Sequence, residues 1–515
     1  MYQTTAGLKR TVNTHVVDNT IKSPSPLAKK SRMSLNAARS SCIVFNGNRR
    51  NNMDRGPDLG HAALVGTKAL APYKLGNGDS QITNQALPLP YTAPKQAKAT
   101  PTCTVVSDGT NRTFLSGNKA DYPLHQAVRL CDADRVKRLM ADEKLNPNAV
   151  DDNLYTPLFW AIEKGFESVF VPLLENKKIN INLVHPNGFT PLILAAYHGN
   201  EYITRLLAEH ENIQLNAKTS EEIGGFTALH VAVIRGYLNI ISLLISRPDI
   251  DLDAKNASGF SALSLAVAGN DYGIVDMLLM NSWGDVNITD NDGLTPLHHA
   301  VRNGNQEMVN LLLAKSSVNI NAVNKFGDSV LHIAVMKGRL GVVEQLLQQP
   351  ALAVNTLNYW GWHPLGLALN RGANDIAKHL ISSQQVDFNR PISLGWTPLQ
   401  LAVMSGNQEM SALLLTMAGI DLNATNQWGW TALHYCVALG YTSLVDLLLN
   451  QPGIAINIAD AQQVTPYRLA TSRGDAVIAN AIAQRLAAPH PEQAESWPPE
   501  SETISSCVNN CTYSS

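Results

Sequence analysis

Thr295-Pro-Leu-His-His-Ala300 decides the fold, because the same block of sequence returns along the chain in register. Before it stand Tyr122-Pro-Leu-His-Gln-Ala127, Thr156-Pro-Leu-Phe-Trp-Ala161, Thr190-Pro-Leu-Ile-Leu-Ala195, Thr227-Ala-Leu-His-Val-Ala232 and Ser261-Ala-Leu-Ser-Leu-Ala266. After it come Ser329-Val-Leu-His-Ile-Ala334, His363-Pro-Leu-Gly-Leu-Ala368, Thr397-Pro-Leu-Gln-Leu-Ala402, Thr431-Ala-Leu-His-Tyr-Cys436 and Thr465-Pro-Tyr-Arg-Leu-Ala470. Successive blocks lie 34 residues apart nine times out of ten; the exception is 37, between Thr190 and Thr227. Chance does not hold a register that long, and a fixed period of this size marks stacked supersecondary units.

Each place in the block has a mechanical reason. Thr or Ser opens a helix as N-cap, and Pro at the first helical turn lacks an N–H that would have no partner there anyway. The Leu and Ala give a narrow apolar stripe, and the small Ala lets helices approach closely. Nine residues after the Thr place stands Gly165, Gly199, Gly236, Gly304, Gly338, Gly372, Gly406, Gly440 or Gly474, as a left-handed helix stop favours. Asn270 and Cys131 take that place once each. A second amphipathic stretch follows, such as Ser443-Leu-Val-Asp-Leu-Leu-Leu449, and then a Gly turn. Eight residues before each later Thr place stands Asn or Asp, from Asn148 to Asn457, which suits a side chain bonding its own backbone at the start of a hairpin.

Helix, turn, longer helix and projecting hairpin, opened by Thr-Pro-Leu-His-x-Ala, resemble the ankyrin-repeat family. The resemblance covers residues 118–488 and implies an all-α solenoid of about eleven helix-turn-helix repeats with β-hairpin loops. The family's usual period is 33; the extra residue falls between the second helix and the hairpin. The wider spacing at Thr227 reflects a longer hairpin tip, Thr219-Ser-Glu-Glu-Ile-Gly-Gly225. The end repeats depart from the pattern, as end repeats of a solenoid should: Tyr122 replaces Thr, and Tyr467 and Arg468 replace Leu-His.

Flanking segments read as disordered: a basic arm over 1–117 and an acidic, polar tail over 489–515. Of 40 Lys/Arg and 42 Asp/Glu in the chain, 15 Lys/Arg, 5 Asp and no Glu precede residue 119, so the net charge of −2 hides a basic arm on an acidic body. That arm supports an alternative function, nucleic-acid or chromatin binding. Its charges are scattered without interleaved aromatics, and Lys29-Lys30-Ser-Arg32 is short, so nucleic acid is not the expected partner. The acidic cluster before the polar end is similar to C-terminal export signals of bacterial type IV effectors, and the arm to type III signals. Six cysteines at Cys42, Cys103, Cys131, Cys436, Cys507 and Cys511 form no disulfide framework or zinc spacing. No secretory h-region or 18-residue apolar window is present, so no membrane span is expected.

No phosphate loop, nucleophile elbow, His-Glu-x-x-His or kinase set occurs, so no enzyme, cofactor or metal site is expected. An enzyme with an unrecognised site is the weakest alternative. His125, His230, His298, His332 and His434 hold one place per repeat; spread over helices about 8–10 Å apart, they do not converge on one ion. The resemblance implies that this histidine bonds backbone near the turns.

The expected partner is another protein, met by a monomer in the cytoplasm or, after export, in a host cell. Five of the eight tryptophans fall on three consecutive hairpins. Trp362, Trp396 and Trp430 occupy a place that Tyr155, Phe189, Phe226 and Phe260 hold elsewhere, which reads as packing between repeats. Trp360 and Trp428 occupy a place that is polar in Ser258 and Asp292, and with Phe326 and Leu394 they make four consecutive apolar tips. Such a row is a contact signal. Late in the first helices stand Lys164, Arg235, Arg302, Lys337 and Arg371, a basic groove suited to an acidic segment, with Glu163 the exception.

Overall fold

The computed structural model describes residues 122–487 apart from Asn187 and residues 281–283; the arm 1–117 and the tail 489–515 lie outside the described residues. Among the described residues the chain forms 22 helices, two to a repeat. First helices run from the block, for example Pro157–Lys164, Pro296–Asn303 and Val330–Met336. Second helices follow a tight turn, as in Glu167–Leu174, Gln306–Leu313 and Leu340–Leu347. The last, Ala476–Ala487, is the longest at 12 residues.

The caps are those that the sequence calls for. Thr156, Thr190, Thr227, Ser261 and Thr295 accept from the backbone N–H three residues on. The stop residues lie in the left-handed region, from Gly165 at φ 65° to Gly440 at φ 72°. Asn270 (φ 60°) and Cys131 (φ 56°) adopt the same conformation despite a Cβ. First helices pack on first helices and second on second, so the repeats stack in two helical layers. The seam between them is apolar, with Leu158, Leu229, Leu331 and Leu433 buried and Ala161, Ala232, Ala300 and Ala334 wholly excluded from solvent.

The hairpins depart from expectation. No strand forms among the described residues, and the only β-type pairing there is the isolated bridge Val323–Ser329. Apart from the longer tip, where Thr219 N–H bonds Phe226 O, the loops close after four residues, as in Asn358 N–H to Trp362 O (2.9 Å), which leaves no room for a ladder. The bonds run sideways instead, from tip to tip. Asn291 N–H donates to Ser258 O, Lys325 to Asp292 O, Tyr359 to Phe326 O, Ser393 to Gly361 O, Gln427 to Leu394 O and Ala461 to Trp428 O, at 2.9–3.1 Å. This close approach is why Gly259 (φ 83°) stands in its turn: a Cβ there would lie 2.4 Å from the Asn291 nitrogen.

The asparagine column also does something other than expected. The Asn321 side chain does not bond its own loop; its Nδ2 donates to Ala351 O (2.7 Å) and its Oδ1 accepts from Ala353 N–H (2.8 Å), both in the next repeat. Asn148, Asn182, Asn287, Asn355, Asn389 and Asn423 donate forward in the same way, across 30 residues. Local bonding falls to the residue two places earlier, as in Asn321 N–H to Asn319 Oδ1. Asp253 can only accept, from Asp285 N–H. Asn321→Ala removes two inter-repeat bonds at the surface and is expected to cost about 1–2 kcal/mol in urea unfolding. Hydrogen exchange should quicken only in the repeats either side, because each repeat touches only its neighbours. A loss spread evenly over the domain would count against the nearest-neighbour picture.

Candidate functional site

Tip-to-tip bonding aligns one loop residue per repeat. Trp360 is 43% exposed and Leu394 41%, whereas Phe326 and Trp428 are half-buried. The Phe326 ring lies 5.5 Å from that of Trp360, centre to centre, so these two tips share one apolar face. Trp428 leans edge-on against Trp396 at 6.2 Å. Trp396 and Trp430 are buried, as packing between repeats requires, while Trp362 is half-buried. Tyr435 stacks on Trp396 at 4.7 Å and its hydroxyl bonds Asn426 Nδ2, and Trp430 Nε1 donates to Asp460 Oδ2 (3.0 Å). The row is therefore uneven: Phe326 and Trp360 lie against each other, Leu394 is exposed, and Trp428 is braced by the buried Trp396.

The most exposed aromatic residue beside them is Tyr359, at 75%. Asn291, Lys325, Ser393 and Gln427 hold its place in other tips. The signal that singles out Trp360, an aromatic in a polar column, applies to Tyr359 equally.

The basic residues separate into kinds. Lys164, Arg235 and Arg371 are exposed; Lys337 and Arg302 are half-buried. Lys164 Nζ lies 5.5 Å from the centre of the Trp160 ring and the Arg235 guanidinium 4.1 Å from that of Tyr197. Arg302, one place earlier on its helix, turns inward. It donates to His299 Nδ1 (3.0 Å), and His299 Nε2 donates to Asp290 Oδ2 (2.9 Å). Burial alone pushes the Asp290 carboxyl up, but the hydrogen bonds from His299 and from the backbone N–H groups of Leu294 and Asp292 hold it below its ordinary value. Ala257, Ser258, Phe260, Asp290, Asn291, Asp292 and Arg302 line a cleft of about 250 Å³, so Arg302 faces these two hairpin loops. With two carboxylates beside it, Arg302 adds little positive potential there.

The repeated histidines are structural. His125, His230, His332 and His434 donate from Nε2 to the carbonyl of Tyr155, Phe260, Trp362 and Val464 (2.9–3.2 Å). In His230, His298, His332 and His434 the Nδ1 accepts from the backbone N–H of the N-cap residue at 3.1–3.2 Å, which closes a capping box. Burial holds these imidazoles neutral: His230 and His298 are lowered to about 4. Among the described residues no group of three or more His, Cys, Asp or Glu is placed to hold a metal ion, and no helix is long and apolar enough to cross a membrane.

Comparison with known proteins agrees with this architecture. The family model for ankyrin repeats (3 copies) matches over residues 124–219, 170–256, 263–358, 349–426, 365–460 and 412–489, which together span well over half of the chain. No curated protein matches the chain. With stacked two-helix units, capped by Thr and closed by left-handed Gly, and matches running from 124 to 489, the chain belongs to the ankyrin-repeat family, whose repeats indicate a protein–protein interaction scaffold.

Proposed function

We propose that the chain acts as a monomeric scaffold that seats one protein partner across the tips of Phe326, Trp360, Leu394 and Trp428. The observation that supports this is the apolar face shared by Phe326 and Trp360, with the exposed Tyr359 next to Trp360 in the chain, on backbone tied to its neighbours by tip-to-tip bonds. Rigid aromatic residues give large contact area at little entropic cost, which is why they dominate binding hot spots. A partner recovered from nuclease-treated lysate, then purified, supplies the assay. Tyr359→Ala with Trp360→Ala is expected to weaken its binding more than tenfold and leave the melting temperature nearly unchanged. Trp428→Ala should weaken binding too, but with some loss of stability, because that ring braces Trp396. Unchanged affinity in the Tyr359/Trp360 double variant would remove the tips from the site.

Nucleic-acid binding through the basic arm has its own signature, an affinity that falls steeply with salt and a partner lost on nuclease treatment. The composition of both ends supports a narrower role, that of an effector exported from a bacterium into a host cell. A translocation reporter fused to chains with and without residues 489–515 tests it; equal export of both would remove that tail as the signal.

A further inference from the structure

We propose a second contact surface at the other end of the repeat domain: a strip of cations seated on aromatic rings, built to hold an acidic, extended segment of a partner protein. It rests on the scaffold reading only in taking a protein as the ligand, and shares no residue with the tips. The Arg129 guanidinium lies 4.8 Å from the centre of the Trp160 ring, and Lys164 Nζ lies 5.5 Å from the same centre. Two cations from neighbouring first helices thus share one indole. Two repeats further on, Arg235 stands 4.1 Å over Tyr197.

The rings are themselves fixed. Trp160 Nε1 donates to Asp151 Oδ2 (2.7 Å), and Tyr197 packs edge-on against Phe189. A cation resting on an aromatic face is held without being neutralised. Arg129, Lys164 and Arg235 are all exposed, and no ion pair to any of them is found among the described residues. Of the acids beside them, Asp151 is tied to Trp160 Nε1, and Glu163 has a side chain only 6% exposed and is engaged by His198 Nε2 at 3.0 Å. Its carboxylate is turned away from solvent, so the strip presents positive charge.

The ligand chemistry follows from these contacts. Single-stranded nucleic acid needs open aromatic faces for its bases and a cation near every phosphate. Here the faces of Trp160 and Tyr197 carry cations, and three charges are spread over four repeats. An extended peptide advances about 3.3 Å per residue, and stacked helices lie about 8–10 Å apart. A carboxylate at about every third residue therefore keeps step with the repeats.

The test uses the full chain and a fluorescein-labelled peptide with glutamate at every third position between glycine and serine, read by anisotropy. Binding is expected, with no binding of the glutamine version. Arg129→Glu with Lys164→Glu should weaken it at least tenfold and Trp160→Leu severalfold, while Lys315→Glu, at a half-buried cation outside both surfaces, leaves it unchanged. Thermal melting of each variant checks the fold, and Lys164→Met, which keeps the aliphatic stem, should lose affinity even if Trp160→Leu unfolds. Equal loss from Lys315→Glu would reduce the strip to a diffuse field and overturn the proposal. So would equal binding of the glutamine peptide, or an oligothymidylate that binds more tightly and displaces the peptide. Failure of the tip variants to affect the partner would leave these results untouched.

Discussion

Replacing His230 with glutamine is expected to leave stability at pH 7 nearly as it is and to remove part of the protein's sensitivity to acid. The imidazole is buried, its Nε2–H spent on Phe260 O and its Nδ1 accepting from Thr227 N–H, a bond that a second proton would break. Burial lowers its pKa from 6.5 to about 4. With the folded value below the unfolded one, the unfolded chain binds the extra proton first. Stability is therefore complete above about pH 6.5 and falls as the pH drops toward 4, by about 3 kcal/mol for a shift of this size. His298 and His363 are lowered to about 4 by the same cause, and His125, His332 and His434 shift in the same direction, so the parent should weaken steeply across this window. The chain already shows that glutamine fits. Gln400 holds the same place, with its Oε1 accepting from Thr397 N–H and its Nε2 donating to Trp430 O. Urea midpoints between pH 7 and 4 check this; a His230→Gln chain as acid-sensitive as its parent would mean that the imidazole is not held neutral.

Ala334→Leu is expected to be among the most damaging single changes in the domain. Ala334 is wholly buried where first helices of adjoining repeats meet, in a column that holds Ala300, Ala368 and Ala402. Three added carbons must push the stack apart or force poor rotamers, at about 1–3 kcal/mol or more. Ala334→Cys should be mild, since Cys436 occupies the equivalent place, fully buried. Thermal melts of the two variants settle it: equal tolerance of Leu and Cys would mean that the seam is looser than its burial indicates.

The stacking was legible in the sequence because each repeat solves the same problem with the same residues, and a register of 34 exposes them. Capping Thr, left-handed Gly and the Leu–Ala seam act within a few residues of themselves, so local chemistry suffices to read them. The asparagine column was misread because its partners lie 30 residues on, at a distance only the stacked structure makes short. Members of one column also part company through their neighbours. Trp360 and Trp428 share a place, yet Trp428 settles against the buried Trp396 while Trp360 lies against the half-buried Phe326 of the neighbouring tip. Arg302 leaves the basic row because His299 and Asp290 draw it inward, whereas Arg129 joins the strip from one place outside that column. Such differences lie in pairs of residues from different repeats, which no single repeat displays.

The most direct test is photo-crosslinking in nuclease-treated lysate, with the crosslinking residue placed at Tyr359 in one chain and at Met280 in another. Met280 is as exposed as Tyr359, at 74%, but ends the second helix Tyr272–Met280, away from the tips. A protein captured at 359 and not at 280, and lost from the 359 chain when Trp360 is alanine, is the expected result. Capture at 280 alone, or none at 359, would contradict a scaffold that works through its tips.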